Sequence, residues 1–560
     1  MRPKGRGPLE SLYFDYPVFA AEPAPELSGQ SRPHPVVIVG AGPIGMTAAL
    51  TLARYGVKSV MLEAKNTFND GSRAICIARQ SFQILDQVGA VAPFLEKSLG
   101  WTRGRSFYRG REIYAFEMPH GGHEKYLPMY NLEQQYIEQF LHQAVARSDL
   151  IDMRWQSAVT GIAAGDDSVT LDVGSPHGAY RLAADYVLAA DGARSTVRSK
   201  LGLRLSGQNY EGRYVIADIQ MDHDYPTERR AFFEPASNPG GTVLVHRQPD
   251  NIWRIDYQLK DGESEDEAMR EETIRARVGA ILADIGHRGD WALEWWSVYT
   301  ANTLCLDDYR RGRVMFIGDS AHIVPIFGVR GLNNGFADAQ NIGWKLAYVL
   351  DGAAGEALLD SYSPERRGAT LDVFANATKS TRFMTPPTRG WKLMREAVLS
   401  LALGHDFARA FADPRQMLPY SYAESPLTLW PDRDRDFAGG PPCGAASANA
   451  RLADGGFLLD HAGDGFTALV FAEGPLSAGM ASLLASLGRL DRRFKALTIG
   501  GGGQAGAIAD PDGNVAGRYD ARPGTVYLLR PDLHVAGRWR DAVSDEIIAS
   551  LSACLGRSAP

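Results

Sequence analysis

The sequence predicts an α/β protein: a Rossmann-type nucleotide domain interrupted by an inserted antiparallel sheet, with a further α/β unit at the C-terminal end. Three observations carry this reading. The uncharged β-branched run 36–39 leads directly into Gly40, Gly42 and Gly45, and a helical apolar pattern follows through Tyr55. Alternating aromatic and aliphatic residues then fill about 205–300, and an apolar run ending in Asp319 resumes the first pattern. A short apolar run bounded by glycine is how a buried parallel strand reads, whereas strict alternation marks a sheet with two unlike faces.

In the first stretch each residue has a physical task. Gly40 permits the tight turn, Gly42 lets a pyrophosphate approach the backbone, and Gly45 lets the helix pack closely on its strand. The helix start faces the phosphates. A second strand-like run, 59–63, ends in Glu63, 21 positions beyond Gly42, where a carboxylate can accept hydrogen bonds from a ribose diol.

At 560 residues the chain calls for two to four domains. Hydrophobic residues at 45% and charged residues at 22% describe a globular chain, and a net charge of −7 argues against nucleic-acid binding. The cysteines, at 76, 305, 443 and 554, form no C-x-x-C pair, so neither a disulfide framework nor a zinc site is expected and a cytoplasmic setting fits. Residues 1–34 carry no secretory signal and read as a loosely held tail with Tyr13, Phe14, Tyr16 and Phe19 on the surface. No apolar run is long enough for a membrane span.

Along the chain, residues 71–79 form a polar turn containing Arg73, and Tyr130 to Val145 reads as a helix with Gln134 in its first turn. Residues 168–191 alternate as a β-meander that ends at Asp191-Gly192, where α/β sheets place ligands. In the inserted region, 242–247, a Pro249-Asp-Asn251 turn and the face Trp253, Ile255, Tyr257 and Leu259 make a hairpin. Residues 291–300 follow as a strand with Trp295, Ser297 and Tyr299 on one side and Trp296 and Val298 on the other; this aromatic surface is expected to line a planar pocket. The return strand 314–319 and the loop 324–335 feed a long helix whose free N–H groups can hold an electron-rich oxygen. In the C-terminal region Gly501, Gly503 and Gly506 repeat the glycine spacing without a following helix, and read as a loop.

The expected division is a tail at 1–34, a nucleotide domain at 35–204, a substrate-binding sheet at 205–300, the nucleotide domain's return and helices at 301–400, a linker at 401–450, and the C-terminal unit at 451–560.

Gly40-x-Gly42-x-x-Gly45, Asp191-Gly192-Ala-Arg-Ser195 and Gly318-Asp-Ser-Ala-His322 with Gly328-x-x-Gly331-x-Asn333-x-Gly335 together resemble the group A flavoprotein aromatic hydroxylases. More narrowly, Gly71-Ser-Arg-Ala-Ile-Cys76 and Val298-Tyr-Thr300 are similar to the 3-(3-hydroxyphenyl)propionate hydroxylase-like sequences, as is the run from Ser380 to Pro386. Residues 451–560 resemble the thioredoxin-like domain of the phenol-hydroxylase branch.

The resemblance implies FAD as cofactor and NADH or NADPH as co-substrate, with a phenolic ring hydroxylated by dioxygen through a flavin hydroperoxide. It implies that Glu63 binds the adenosine ribose, that Arg73 lies near the pyrophosphate, and that Gln134 and Asp319 face the ribityl side. The backbone of Gly331, Leu332 and Asn333 meets the flavin ring, Asp191-Gly192 serves FAD and the nicotinamide, and Pro43, Ile44, Ala64, Gly318 and Pro325 complete the cofactor site. Tyr299, on the strand where the family's phenol-binding tyrosine is expected, is the catalytic candidate; a core tyrosine bonded to a backbone carbonyl is the other reading. Two residues depart from the family pattern: Ser320 stands where alanine is usual, and Ile326 replaces a proline. The expected partners are a small phenol and dioxygen, with a homodimer left open and neither nucleic acid nor metal expected. Another flavoenzyme class, a dehydrogenase or oxidase, or a FAD-stabilised scaffold remain as alternatives.

Overall fold

In the computed structural model, which describes residues 1–29, 33–325, 328–412, 419–431, 434–500, 506–542 and 544–557, a parallel sheet organises the nucleotide-binding part. Its strands run in the order Ile151–Arg154, Ser59–Leu62, His34–Val39, Gly178–Ala189 and Val314–Phe316, with Arg310–Arg311 as an antiparallel edge. Val36, Val37, Ile38, Leu188 and Val314 are fully buried, which explains their uninterrupted apolar pattern. Val39 lies level with Leu62 and with Ala189, and Ala189 with Phe316. The four chain segments that leave these positions therefore emerge side by side at one edge of the sheet.

Two helices, Pro43–Arg54 and Arg330–Leu350, pack together beside this edge. A Cβ added at Gly343 would come within 2.5 Å of Thr51 Cγ2, so the close approach requires glycine there. The long helix begins at Arg330, not beyond the 324–335 loop as expected, so Gly331, Leu332 and Asn333 form its first turn. The helix containing Gln134 likewise begins at that residue, because Met129–Asn131 is taken up as a strand in a small sheet with Cys76–Ala78 and Leu99–Trp101.

The inserted sheet has eight strands, in the order His322–Ile323, Trp291–Cys305, Ser206–Met221, Ile252–Gln258, Thr242–Arg247, Arg229–Phe233, Arg103–Tyr108 and Arg111–Glu117. The expected limits of 205–300 thus leave out residues 103–117. They join by a parallel pairing of Arg103–Tyr108 with Arg229–Phe233, and a contact between segments so far apart leaves no local signal in sequence. The hairpin forms as read, with Asp250 and Asn251 both left-handed at φ 56° and 57°.

The expected aromatic pocket lining needs correction. Trp253, Ile255, Tyr257 and Trp296 are buried in one cluster with Ile274, Val278 and Ile281 of the helix Glu271–Asp284. They form the core on the sheet's outer side, and the side facing the nucleotide domain carries the alternate residues.

The leader is not a loose tail either. Phe14 is buried with Phe68 and Trp155, and Phe19 stacks on Trp155 at 4.2 Å between ring centroids. Arg2 and Arg6 both pair with the buried Glu294, at 2.6 and 3.0 Å, and Arg2 also pairs with Asp70 at 2.9 Å. The leader therefore straps the 69–76 turn to the inserted sheet.

The C-terminal unit holds strands in the order Lys495–Gly500, Thr467–Ala472, Val526–Leu529 and Val535–Trp539, the first pair parallel and the others antiparallel. Helices Ala478–Leu490 and Ser544–Cys554 cover one face, where Phe466, Leu483 and Leu551 share a core with Trp344 and Tyr348 of the long helix. Gly501, Gly503 and Ile326 lie outside the described residues; the next helix beyond Gly506 is Asn514–Arg518. Among the described residues, no helix is long and apolar enough to cross a membrane.

Candidate active site

The site is built where the strands ending at Val39, Leu62, Ala189 and Phe316 stop. Gly40 is left-handed at φ 102°, and a Cβ there would lie 2.5 Å from the Ala190 carbonyl oxygen. A Cβ on Gly45 would fall 2.0 Å from the Gly40 carbonyl oxygen. A Cβ on Gly42, by contrast, would meet nothing within 4 Å, and Gly42 caps the Pro43–Arg54 helix without a side-chain hydrogen bond. The turn is thus closed on its protein side and open at Gly42, with helix N–H groups unengaged by any cap. Glu63 stands beside it: Ala41 N–H donates to Glu63 Oε2 at 2.8 Å and Lys65 N–H to Oε1 at 3.0 Å, while the adjacent Ala64 is exposed.

The acids of the two neighbouring strands open onto the same edge. Asp191 Oδ2 accepts from Val197 N–H at 3.0 Å, but its buried Oδ1 has no partner, and the adjoining Gly192 is left-handed at φ 74°. Gly318 turns left-handed at φ 61° and presents Asp319, whose side chain is exposed. The surrounding protein pushes the Asp319 carboxyl up, against the pull of His322, Arg73 and Arg198. Asp319 nevertheless opens to solvent, which screens that push. Arg198 lies between the two acids, donating to the Ser320 and Ala193 carbonyls at 2.9 and 2.6 Å. Ser320 is explained by its contacts: its hydroxyl donates to the Ala189 carbonyl at 2.6 Å and so ties the return turn to the central strand.

Opposite this edge, Arg73 is exposed on the 71–76 turn, which Gln134 holds by accepting from the Arg73 and Ala74 N–H groups at 3.2 and 3.3 Å. Arg254 of the inserted sheet grips the same turn by donating to the Ser72 and Arg73 carbonyls, while pairing with Asp218 at 2.8 Å. Sequence reasoning missed Arg254 and Asp218, which sit singly on separate strands; a buried arginine alternating with apolar neighbours was the only signal.

The start of the long helix completes the site. Val329 is held left-handed at φ 54°, a costly conformation for a β-branched residue, and caps the helix without a side-chain bond. Asn333 places this turn: its Oδ1 accepts from Ala78 N–H at 2.8 Å and Ser81 at 2.7 Å, and its Nδ2 donates to the Val329 carbonyl at 2.6 Å. With its amide spent on protein, Asn333 offers a ligand only its backbone, as do Gly331 and Leu332. Behind them His322 and Arg366 both bind the buried Asp338, each at 2.7 Å. Tyr299 is half-buried, with its hydroxyl donated to the Val324 carbonyl at 2.6 Å, next to the buried Pro325. Burial raises the Tyr299 phenol. Cys76, Cys443 and Cys554 are buried and each thiol is pushed up to about 12, so none is a thiolate at neutral pH.

A family model described as FAD binding domain matches residues 34–377, the span that contains every element of this edge. The chain belongs to that family. The FAD-binding-domain span has relatives of known activity. A 3-(3-hydroxy-phenyl)propionate/3-hydroxycinnamic acid hydroxylase of Mycobacterium sp. (strain JLS) is 26% identical over 520 residues, covering 90% of this chain and 88% of the relative. A para-nitrophenol 4-monooxygenase of Pseudomonas sp. (strain WBC-3) is 28% identical over 360 residues, covering 62% and 86%. The crystal structure of the flavin-dependent monooxygenase PieE, in complex with FAD and substrate, superimposes with a TM-score of 0.77 at 23% identity over 94% of this chain and 99% of its own. The expectation of a flavin-dependent monooxygenase is borne out.

The residues present fit FAD. An open glycine turn at an uncapped helix start suits a pyrophosphate, the orphaned Asp191 Oδ1 and the exposed Asp319 suit hydroxyl donors, and the uncapped start of the long helix suits an electron-rich ring edge.

Proposed function

We propose that this protein hydroxylates a phenolic ring, with FAD as cofactor, NADH or NADPH as reductant and dioxygen as oxidant. FAD, when bound, supplies the electron transfer and oxygen activation. The chain's part is to bind it, orient the ring and keep water out. Gly42 with the start of helix Pro43–Arg54 receives the pyrophosphate, Glu63 the adenosine ribose, and Asp191 and Asp319 the polyol side. Gly331 to Asn333 offer backbone N–H groups to the flavin ring. The observation that carries the reading is the convergence of these groups on one strand edge facing the inserted sheet, supported by the hydroxylase and monooxygenase activities that the two relatives' names record.

Tyr299 acts on the substrate through the Val324 carbonyl that it fixes, so we assign it as a positioning residue. We read the C-terminal unit as thioredoxin-like; its strand order, 2-1-3-4 in chain numbering with one parallel pair, supports that reading, and burial of Cys443 and Cys554 argues against a thiol redox role. Four free, buried cysteines fit a cytoplasmic protein.

The experiment is a screen of FAD-loaded protein against phenols, including 3-(3-hydroxyphenyl)propionate and 4-nitrophenol, for stimulated NADH and NADPH oxidation with product mass measured. A product heavier by one oxygen atom is expected. Flavin reduction with no oxygenated product from any phenol would leave a dehydrogenase or oxidase.

A further inference from the structure

The inner face of the inserted sheet carries buried polar atoms that no protein group satisfies. In the hairpin, His246 pairs with Arg254 and Leu244 with Asp256. His246 and Asp256 therefore share the face opposite to Trp253, Ile255 and Tyr257, whose face is filled by the helix Glu271–Asp284. Gln248 continues the alternation of His246. Asp256, His246 and Gln248 are 4%, 4% and 1% exposed. Asp256 Oδ1, His246 Nδ1 and both amide atoms of Gln248 have no hydrogen-bond partner. Arg254, between them, is engaged by Asp218 and the 72–73 carbonyls.

Orphaned polar atoms in a protein interior are rare, because each forgoes its hydrogen bonds to water with nothing in return. Asp256 and His246 are diagonal neighbours on the face turned to the nucleotide-binding part, and their orphaned atoms mark a place where a ligand can supply the missing partners.

We propose that Asp256, with His246 as its diagonal neighbour, is the hydrogen-bonding end of the substrate pocket and takes the proton of the substrate's phenolic hydroxyl. The assignment rests on the phenol-hydroxylase reading and names the group that activates the ring. The substrate O–H bond breaks, an O–H bond forms at Asp256 Oδ1, and the electron pair stays on the ring oxygen, raising electron density in the ring. His246 presents its ring nitrogen beside that oxygen.

The surroundings suit this task. Burial pushes the Asp256 carboxyl up to about 7; Arg254 on its own strand pulls it down, Asp218 on the next strand pushes it up, and Arg229 pulls it down. Burial, with Arg229 and Arg254, keeps His246 neutral. From the facing strand Cys76–Ala78, the Cys76 thiol stays protonated and adds no charge. A base that titrates near the working pH is the effective one. Because the carboxyl must be ionised to accept the proton, hydroxylation rises with pH as Asp256 ionises.

The test uses the full-length FAD-loaded protein with 4-nitrophenol and 3-(3-hydroxyphenyl)propionate, and 4-nitroanisole as the ether that has no proton to give. Affinity is read from the flavin absorbance change, and coupling from product per NAD(P)H across pH. Wild type is expected to respond to the phenols and not to the ether. Asp256→Asn is expected to keep its FAD, to bind the phenols roughly 10-fold more weakly, and to lose the rise through neutral pH. His246→Phe guards against an unfolded variant: it keeps an aromatic ring and removes an unsatisfied buried nitrogen, so it is expected to leave the melting temperature equal or higher while weakening phenol binding several-fold. Wild-type phenol affinity in both variants, or an unchanged pH profile in Asp256→Asn, overturns the assignment and leaves the hydroxylase reading standing. No response of wild-type protein to either phenol removes both.

Discussion

Ile44, the second residue of the first helix, is wedged between Gly318 and Gly335: a Cβ at Gly335 would lie 2.6 Å from Ile44 Cδ1, and one at Gly318 would lie 3.1 Å from Ile44 Cγ1. This contact joins the glycine turn, the return strand's acid-bearing turn and the start of the long helix. The glycine turn is thereby set at fixed separation from two segments that follow it only after about 270 residues of chain.

Gly335→Ala should accordingly destabilise the protein. Alanine favours a helix interior over glycine by about 1 kcal/mol, but overpacking a confined site costs about 1–3 kcal/mol, and Ile44 has Gly318 behind it. We expect a net loss of up to about 2 kcal/mol and weaker FAD retention. The added Cβ would lie 2.6 Å from Ile44 Cδ1 and 2.7 Å from Cγ1; Ile44→Ala removes both, so in that background Gly335→Ala should cost little. Urea unfolding of the four proteins in the cycle checks this; additive effects would show that the two residues are not in contact.

Gly42→Ala separates cofactor binding from folding. Gly42 has φ −71° and ψ 177°, which alanine adopts without strain, and the added methyl group meets no protein atom. The apoprotein should therefore melt within about 0.5 kcal/mol of wild type, while FAD affinity falls at least 10-fold. Flavin absorbance after purification, set beside the apoprotein melt, measures both. Full flavin content would show that the pyrophosphate does not pass at Gly42.

The nucleotide turn was legible because its chemistry is local: three glycines, a strand and a helix within twenty residues leave a pattern that one segment carries by itself. Glu63, Asp191 and Asp319 were legible for a related reason, each closing an apolar run that could only be a buried strand. The polar floor of the inserted sheet was not legible. Asp256 and His246 look like ordinary solvent-facing alternates of a hairpin, and only the covering of that face by the nucleotide-binding part makes them buried and unpartnered. The leader misled for the opposite reason. Its Pro, Gly and charge composition suggests a tail, but Arg2 and Arg6 find the buried Glu294 only in the folded chain.

Arg530→Met tests whether the C-terminal unit braces the long helix. Arg530 binds Glu365 at 2.6 Å and Asp532 at 2.7 Å, Lys345 of the long helix binds Glu365 at 2.7 Å, and all four side chains are buried. Removing Arg530 leaves carboxylates buried with too little positive charge, which costs about 3–5 kcal/mol. Burial raises the carboxyls of Glu365 and Asp532, but Arg530, with Lys345 or His534, overcomes it and holds both well below their ordinary values. Groups depressed in the folded state stabilise above their unfolded pKa, so wild type should lose stability as pH falls below the ordinary carboxylate range. The variant should lose less over the same interval. Urea midpoints at pH 7 and at about pH 3, below the ordinary carboxylate range, supply the comparison; an equal acid loss in both proteins would discount the network.

The last prediction concerns Tyr299. Its hydroxyl donates to the Val324 carbonyl at 2.6 Å, immediately before Pro325 and a few residues before the strained Val329 that starts the long helix. Tyr299→Phe keeps the ring and its packing and removes one hydrogen bond, a stability change of about 1 kcal/mol. FAD should stay bound and NAD(P)H should still reduce it, because the glycine turn and the acids of the strand edge are untouched. The loop carbonyl, freed of its donor, no longer holds one position, and misplacement on the scale of 1 Å lowers rate by up to about 10²-fold. Hydroxylation should therefore fall by roughly 10- to 10²-fold, with reduced flavin diverted to hydrogen peroxide. The pH profile should keep its shape, since Tyr299 exchanges no proton with the substrate. Product and peroxide formed per NAD(P)H consumed decide the matter. Wild-type coupling would mean that the Tyr299–Val324 bond is packing alone; a flattened pH profile would mean that Tyr299 itself titrates against the substrate.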